Sequence, residues 1–125
     1  MGKTLKINRL RLVSYPLSNY IEHEMYFYLI NKNGGENIKC LDIDQTGYEL
    51  NELDDFIIFD ENEIIINTHD NKEVLLGSYH LKDDNNLFNE LLNEFKSLFD
   101  EGQDFEKCFK FDENIVKDLK ENRII

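Results

Sequence analysis

The hydrophobic positions of this chain recur with two different periods. Up to residue 82, short apolar runs alternate with polar residues or lie between turn-forming residues, which is typical of strands. From residue 83 onward, apolar residues recur at helical spacing. The pattern predicts a single α+β domain over residues 1–125, mainly β over 1–82 and mainly α over 83–125. Its antiparallel β-sheet of five to six strands, arranged as a meander, would be followed by one long amphipathic helix and a second short C-terminal helix.

The clearest predicted hairpin lies in the first half of the chain. Met25–Ile30 is rich in aromatic residues, and Asn31–Gly35 follows it with two glycines that favour a tight turn. Connections of only two to five residues cannot contain a crossover helix, so we expect 25–30 and 38–43 to pair as antiparallel strands. Further strands are predicted over 5–12, 56–59, 64–66 and 74–81. On the strand 25–30, the residues expected to face the core are Met25, Phe27 and Leu29.

A stripe of apolar residues at helical spacing predicts the long helix. Asp84, Asn85 or Asn86 is suited to cap its start, and Gly102 stands where a C-terminal glycine is expected. The second helix is expected after Asp112, whereas 105–111 fits a helix or a strand equally well. The members of the stripe are Leu87, Phe88, Leu91, Leu92, Phe95, Leu98 and Phe99.

Composition and charge narrow the possible partners. The chain has 125 residues, of which 41% are hydrophobic, so it can bury a core without disulfides or metals. Its 26 acidic residues outweigh 14 Lys and Arg and give a formal net charge of −12. That charge argues against direct binding to nucleic acid or to an anionic membrane, and favours a basic protein partner. No cofactor is expected.

Residue usage also suggests where the protein works. The chain contains no Ala and much Asn, Ile and Lys, which indicates an AT-rich bacterial or phage genome. Two cysteines are too few for a disulfide framework, and the N-terminal segment has no continuous apolar run of the kind found in signal peptides. We therefore expect a cytoplasmic protein, in a bacterium or in the host cytoplasm if phage-encoded.

One short motif suggests metal-dependent chemistry. Asp42, Asp44 and Thr46 form D-x-D-x-T after a largely apolar segment. This resembles the first motif of haloacid-dehalogenase-like phosphatases, and the resemblance covers about ten residues. It implies that Asp42 is a nucleophile, that Asp44 is a general acid/base and that Mg²⁺ lies between them and a phosphate. The rest of the chain departs from the family, because the segments after Asp44 are predicted as hairpins and the later Lys and paired-Asp motifs have no match.

The same residues also fit part of a calcium-binding loop. Asp42, Asp44, Thr46 and Gly47 match positions 1, 3, 5 and 6 of an EF-hand loop. Position 12, which requires a bidentate Glu, falls on Leu53. A calcium turn of another kind stays open, as does a plain turn in which these polar side chains bond locally.

Other chemistry-bearing residues form no catalytic motif. His23, His69 and His80 show no metal-binding spacing. Cys40 and Cys108 lie among apolar residues, so both are expected to be buried structural thiols. We therefore expect a protein without enzymatic activity.

The most informative feature is an acidic stretch. Between Cys40 and Asn71 there are ten acidic residues and no Lys or Arg, whereas residues 1–21 are basic and would neutralise part of that acidic face. We expect the stretch to bind and block a basic nuclease, toxin or defence effector, as immunity proteins and phage anti-defence (anti-CRISPR) proteins do. A structural or assembly subunit is a third possibility. The expected partner-binding residues are Asp42, Asp44, Tyr48, Glu49, Glu52, Asp54, Asp55, Asp60, Glu61 and Glu63.

Overall fold

The computed structural model describes residues 6–45, 53–70, 74–84 and 86–125, with the backbone alone at 45, 53 and 54. These residues form a mixed six-stranded sheet and four helices. No described helix is both long and apolar enough to cross a bilayer. The strands are β1 (Ile7–Val13), β2 (Glu36–Asp42), β3 (Leu53–Phe59), β4 (Glu63–His69), β5 (Leu75–Lys82) and β6 (Gln103–Asp104), and the helices are α1 (Asn19–Asn33), α2 (Phe88–Glu101), α3 (Phe105–Cys108) and α4 (Glu113–Glu121).

The predicted strand over 25–30 is wrong, because this segment lies within helix α1. The Ser18 side chain caps the helix by accepting a hydrogen bond from the Ile21 backbone N–H at 3.2 Å. Ile21, Met25 and Tyr28 lie at i, i+4 and i+7 and are buried, whereas Phe27 is 63% exposed. The aromatic run has high strand propensity, but packing of the Ile21/Met25/Tyr28 stripe decides the structure.

The first two strands are parallel, so the prediction of a purely antiparallel meander is also wrong. Helix α1 provides the crossover between them, and β1 and β2 pair in register from Ile7 opposite Glu36 to Val13 opposite Asp42. The glycine pair does not form a hairpin turn. Gly35 has a φ of +100° and carries the chain from the end of α1 into β2.

The remaining large strands pair antiparallel, as the pattern predicts. β3 lies beside β1, β4 beside β3 and β5 beside β4, which gives the order β5-β4-β3-β1-β2-β6. The pairing of β4 with β5 shifts register between Thr68, which pairs with Gly77, and His69, which pairs with Leu75, so the extra residue, Leu76, lies on β5. The sheet is therefore a meander on one side and a parallel pair on the other.

The two faces of the sheet are covered to different extents. Helix α2 lies on one face and draws apolar residues from four strands, β1 to β4, into its core cluster. Helices α1 and α3 lie on the other face, where the buried cluster includes residues of β1 and β2 only. The buried members of the first cluster are Leu10, Leu12, Leu41, Phe56, Ile58, Ile64, Ile66, Phe88 and Phe95; those of the second are Val13, Ile21, Met25, Tyr28, Ile38, Cys40 and Phe105.

Helix α2 ends at Gly102, as predicted, but its start and the conformation of that glycine differ from the prediction. Leu87 occupies the N-cap position and makes no side-chain capping bond. Gly102 follows the helix with a φ of −70°, so a left-handed conformation does not explain the glycine. Its role is close packing, because a Cβ there would lie 3.3 Å from both Leu10 Cδ1 and Lys39 Cβ.

Candidate partner-binding surface

The edge of the sheet at β5 is open in the part of the chain that the structure describes. Within residues 6–45, 53–70, 74–84 and 86–125, no strand pairs with the outer side of β5. Leu75, Leu76 and Tyr79 are exposed by 56%, 55% and 60%, and Val74 just before the strand is equally exposed. Contiguous apolar exposure on an unpaired strand is a recognised site of strand addition by another chain.

The pairing of β5 with β4 shows on which face of the sheet the Tyr79 and Leu81 side chains lie. Tyr79 is opposite Ile66 and Leu81 is opposite Ile64, so both point to the face that α2 covers. Leu81 packs against that core cluster, whereas Tyr79 is mainly in solvent. The apolar core on this face therefore reaches β5 at Leu81 but does not include Tyr79.

The opposite edge of the sheet is closed. β6 has only two residues, which pair with Lys39 and Cys40 of β2. Helix α3 follows at once, and its Phe105 is buried in the cluster beneath α1. A short strand followed by a packed helix is one of the usual ways in which proteins protect a sheet edge.

The predicted acidic contact residues do not lie together. Asp42 ends β2 beside Val13, at one end of the sheet, with Asp44 in the 3₁₀ turn Ile43–Gln45 that follows. Asp60 and Glu61 lie in the β3–β4 turn at the opposite end, where Phe59 pairs with Ile7. The seven residues of β1 separate the two ends by about 20 Å at the usual rise per residue. This exceeds the Debye length of about 8 Å at physiological salt, so the two groups produce separate fields.

The other predicted contact residues have different positions. Asp55 is 2% exposed and lies inside the structure, where it cannot contact a partner directly. Glu63 begins β4, close to the β3–β4 turn. The side chain of Asp54 and the whole of Tyr48, Glu49 and Glu52 lie outside the described residues.

The two acidic ends differ in how far cations neutralise them. At the β3–β4 turn, Glu61 pairs with Lys96 at 3.1 Å, and a carboxylate oxygen of Glu63 lies within hydrogen-bond distance of His80 Nε2, at 2.9 Å. At the other end, Asp42 accepts a hydrogen bond from the Asp44 backbone N–H at 3.0 Å. No described Lys or Arg lies within ion-pair distance of Asp42 or Asp44.

The sequence prediction missed a cluster of buried charges beneath α1. Arg9 donates to both carboxylate oxygens of Asp55, at 3.0 and 3.2 Å, and to Glu36 at 3.3 Å. Arg11 is 1% exposed and pairs with Glu24 at 3.0 Å. The available signal was the alternation of Arg9 and Arg11 with Leu10 and Leu12, which places both arginines on one face of a strand.

Burial sets the ionisation of this charged cluster. Removal from water raises the pKa of Glu24 above its ordinary value and outweighs the opposing attraction of Arg11. Burial likewise raises the pKa of Glu36 although Arg9 lies beside it. Burial lowers the pKa of Arg9, but Asp55 and Tyr28 outweigh that effect and the net shift is upward. The Arg11–Glu24 pair joins β1 to α1, and the Arg9 pairs join β1 to β2 and β3, all through charge-assisted hydrogen bonds.

The geometry bears on the D-x-D-x-T resemblance as well. Asp42 does end a strand with a parallel neighbour, β1, but β3 on the far side of β1 is antiparallel. Among the described residues, no group of three or more His, Cys, Asp or Glu side chains is arranged to hold a metal ion. Thr46 and Gly47, the later residues of the motif and of the calcium loop, lie outside the described residues.

Comparison with known protein families assigns the chain to a family. The model of a family described as a domain of unknown function, DUF6879, matches residues 1–110. The chain belongs to this family, and the match includes everything up to α3 but not α4. No curated protein and no solved structure matches the chain.

Proposed function

We propose that this member of the DUF6879 family is a non-catalytic binding protein that blocks a basic protein partner, which adds a strand to the open edge at β5. The observation that carries the proposal is the eight-residue edge strand on which Leu75, Leu76 and Tyr79 are each more than half exposed. Pairing with this edge gives a partner main-chain hydrogen bonds, and the exposed side chains give it apolar contacts.

The contrast between the two edges supports the choice of β5. Edges are usually protected by short strands, packed helices, charges or bulges. β6 and α3 protect one edge. β5 has one of these devices, the register shift at Leu76, but among the described residues no helix follows it directly as α3 follows β6, and its lysine, Lys82, lies at its end. Its apolar first half has neither a charge nor a proline.

The negative charge near the end of β5 supports the choice of a basic protein as the partner. Asp83 and Asp84 follow β5, and the Asp83 backbone N–H bonds to the Asn62 carbonyl in the β3–β4 turn at 3.2 Å. The end of β5 thus lies beside the acidic turn. Among the described residues, acids outnumber cations there. The acids are Asp60, Glu61, Glu63, Asp83 and Asp84, and the cations are Lys6, Lys82 and Lys96. With the net charge of −12, this end would speed encounter with a basic protein.

The cellular role that fits such a blocker is neutralisation of a nuclease, a toxin or a defence effector. Such proteins carry basic surfaces where they hold nucleic acid, and an acidic protein bound there would exclude that substrate. Immunity to a toxin and phage anti-defence are the two settings that we propose.

The direct test is affinity capture of the tagged protein from the lysate of its native host, at low and at high salt. We expect one stoichiometric basic protein, with an association rate that falls as salt increases. Leu76→Lys should weaken the complex by at least about tenfold, because it places a charge at the centre of the apolar contact. Phe27→Lys is the matched control, since Phe27 is equally exposed but lies on α1.

A pair of charge reversals identifies which end of the sheet contacts the partner. Asp83→Lys combined with Asp84→Lys should slow association, whereas Asp42→Lys combined with Asp44→Lys should change it much less. If only the Asp42/Asp44 variant slows association, the partner binds at the far end of the sheet. If Leu76→Lys binds as tightly as the unmodified protein, strand addition at β5 is excluded.

A further inference from the structure

Two cysteines and a tyrosine line a cavity at the closed edge of the sheet. Its volume is about 320 Å³, and its lining includes Cys40 of β2, Cys108 at the end of α3, Tyr15 and Asp42. Cys40 is buried, whereas Cys108 is half-buried and reaches the cavity. The cavity plays no part in the proposed binding at β5, so its chemistry is independent of that function.

The pairing of β6 with β2 brings the two thiols together. Cys40 lies opposite Gln103, and α3 then turns the chain back so that Cys108 Sγ lies 3.9 Å from the Cys40 carbonyl oxygen and 3.5 Å from that of Asp104. The Tyr15 hydroxyl donates a hydrogen bond to the Cys108 carbonyl oxygen at 2.8 Å and fixes the end of α3.

The two thiols differ in reactivity. A hydrogen bond from the Cys40 thiol lowers the pKa of Cys108 below its ordinary value, and the Tyr15 hydroxyl acts in the same direction. The same contact, together with burial, raises the pKa of Cys40 far above its ordinary value. Cys108 is also the less buried of the two and reaches the cavity, so it is the thiol that a small disulfide in the cavity meets first.

We propose that this cavity is a thiol–disulfide exchange site for small cationic disulfides, with Cys108 as the attacking thiol and Cys40 as the resolving thiol. The positive charge is inferred from Asp42 and Glu101, which are among the residues that line the cavity, whereas no Lys or Arg is among them. Disulfides of amino-thiols have the required size and charge.

The reaction proceeds in two balanced steps. The Cys108 thiolate attacks one sulfur of the small disulfide, the S–S bond of that molecule breaks, and one thiolate leaves and takes a proton from water. The Cys40 thiol then loses its proton to water and attacks the Cys108 sulfur, forming the Cys40–Cys108 disulfide and releasing the second small thiol. The protein loses two electrons and two protons, and the small disulfide is reduced to two thiols.

Mass spectrometry of the whole protein, incubated with cystamine, tests the proposal. We expect the unmodified chain to lose two mass units, Cys40→Ser to retain one bound cysteamine, and Cys108→Ser to react at least about tenfold more slowly. A mixed disulfide that persists in the unmodified chain would show that Cys40 does not act as the resolving thiol. Equal reaction of Cys108→Ser and the unmodified chain would overturn the assignment of the nucleophile.

Reaction rates with disulfides of different charge test whether the site prefers a positively charged substrate. The reaction should be fastest with cystamine, slower with neutral 2-hydroxyethyl disulfide and slowest with anionic glutathione disulfide. Asp42→Asn should reduce the ratio of the cystamine rate to the glutathione disulfide rate several-fold, whereas Asp118→Asn, on α4 and outside the lining, should leave it unchanged. Equal rates for the three disulfides would refute cationic selectivity, and no reaction with any of them would refute the site.

Discussion

The two halves of the sheet differ in how completely helices cover them and in how much apolar surface they expose. Between β1 and β6, helices lie on both faces, the edge is closed, and even charged side chains such as Arg11 are buried. At β4 and β5, only the face under α2 contributes to a core cluster, and the last strand keeps large apolar side chains in solvent. The first half buries side chains on both faces of the sheet, whereas β4 contributes to a core cluster only through the face under α2. The second half exposes apolar surface that folding alone does not require, which is why we assign the binding function to it.

The largest expected effect on stability is at Asp55 of β3, whose carboxylate binds Arg9 of β1 at the border of the covered half. Asp55→Ala removes the carboxylate that accepts two hydrogen bonds from Arg9 and one from Asn67, and leaves a mostly buried guanidinium with one acid fewer. Breaking a buried ion pair from one side typically costs about 3–5 kcal/mol. Urea unfolding followed by circular dichroism should show a loss of this size.

A control separates the charge of Asp55 from its hydrogen bonds. Asp55→Asn keeps an acceptor for Arg9 and should be less destabilising than Asp55→Ala. A loss below about 1 kcal/mol for Asp55→Ala would mean that the cluster contributes little to stability, and the distinction between the two halves would fail.

A smaller effect is expected on the pH dependence of stability, because the covered half partly buries two carboxylates, Glu24 and Glu36, and their pKa values are raised. A raised pKa in the folded state adds stability that is fully present below the unfolded value of about 4.3 and is lost as pH rises through the folded value. The unmodified protein should therefore gain stability relative to Glu24→Gln as pH falls from 7 toward about 4.3. Thermal melts of both proteins across this range measure the difference, and parallel curves would contradict it.

The smallest expected effect on folding is in the open half. Leu76→Lys and Tyr79→Lys change side chains that are mainly in solvent, so the free energy of unfolding should change by no more than about 0.5 kcal/mol. The same urea titration measures it. A loss similar to that of Asp55→Ala would show that β5 is needed for folding, and its exposure would no longer indicate a partner.

Local sequence patterns predicted the antiparallel strands and helix α2 correctly, but they predicted a strand where helix α1 lies. The antiparallel strands β3 to β5 and helix α2 follow from alternation and helical spacing, because each is defined by neighbours that are close in sequence. Helix α1 was missed because Tyr26, Phe27 and Tyr28 favour strands on their own, and only packing of Met25 and Tyr28 on β1 and β2 decides otherwise.

For the candidate surface, the sequence predicted the charge of the partner but not the location of the surface. Net charge indicated a basic partner, but charge along the sequence does not say which acids lie together. Asp55 is adjacent to Asp54 in sequence and yet lies inside the sheet with Arg9, because antiparallel pairing places Asp55 opposite Arg11. The open edge depends on strand order, which requires long-range pairing and has no local signature.

The most direct test of the central claim is hydrogen exchange of the backbone amides, measured for the free protein and for its complex with the captured partner. Strand addition predicts that protection increases along Leu75–Lys82 and is largely unchanged in α1, because new main-chain hydrogen bonds form at the outer side of β5. Protection that increases at Asp42–Asp44 or along α1 while β5 is unchanged would contradict the account and move the binding surface to the covered half of the sheet.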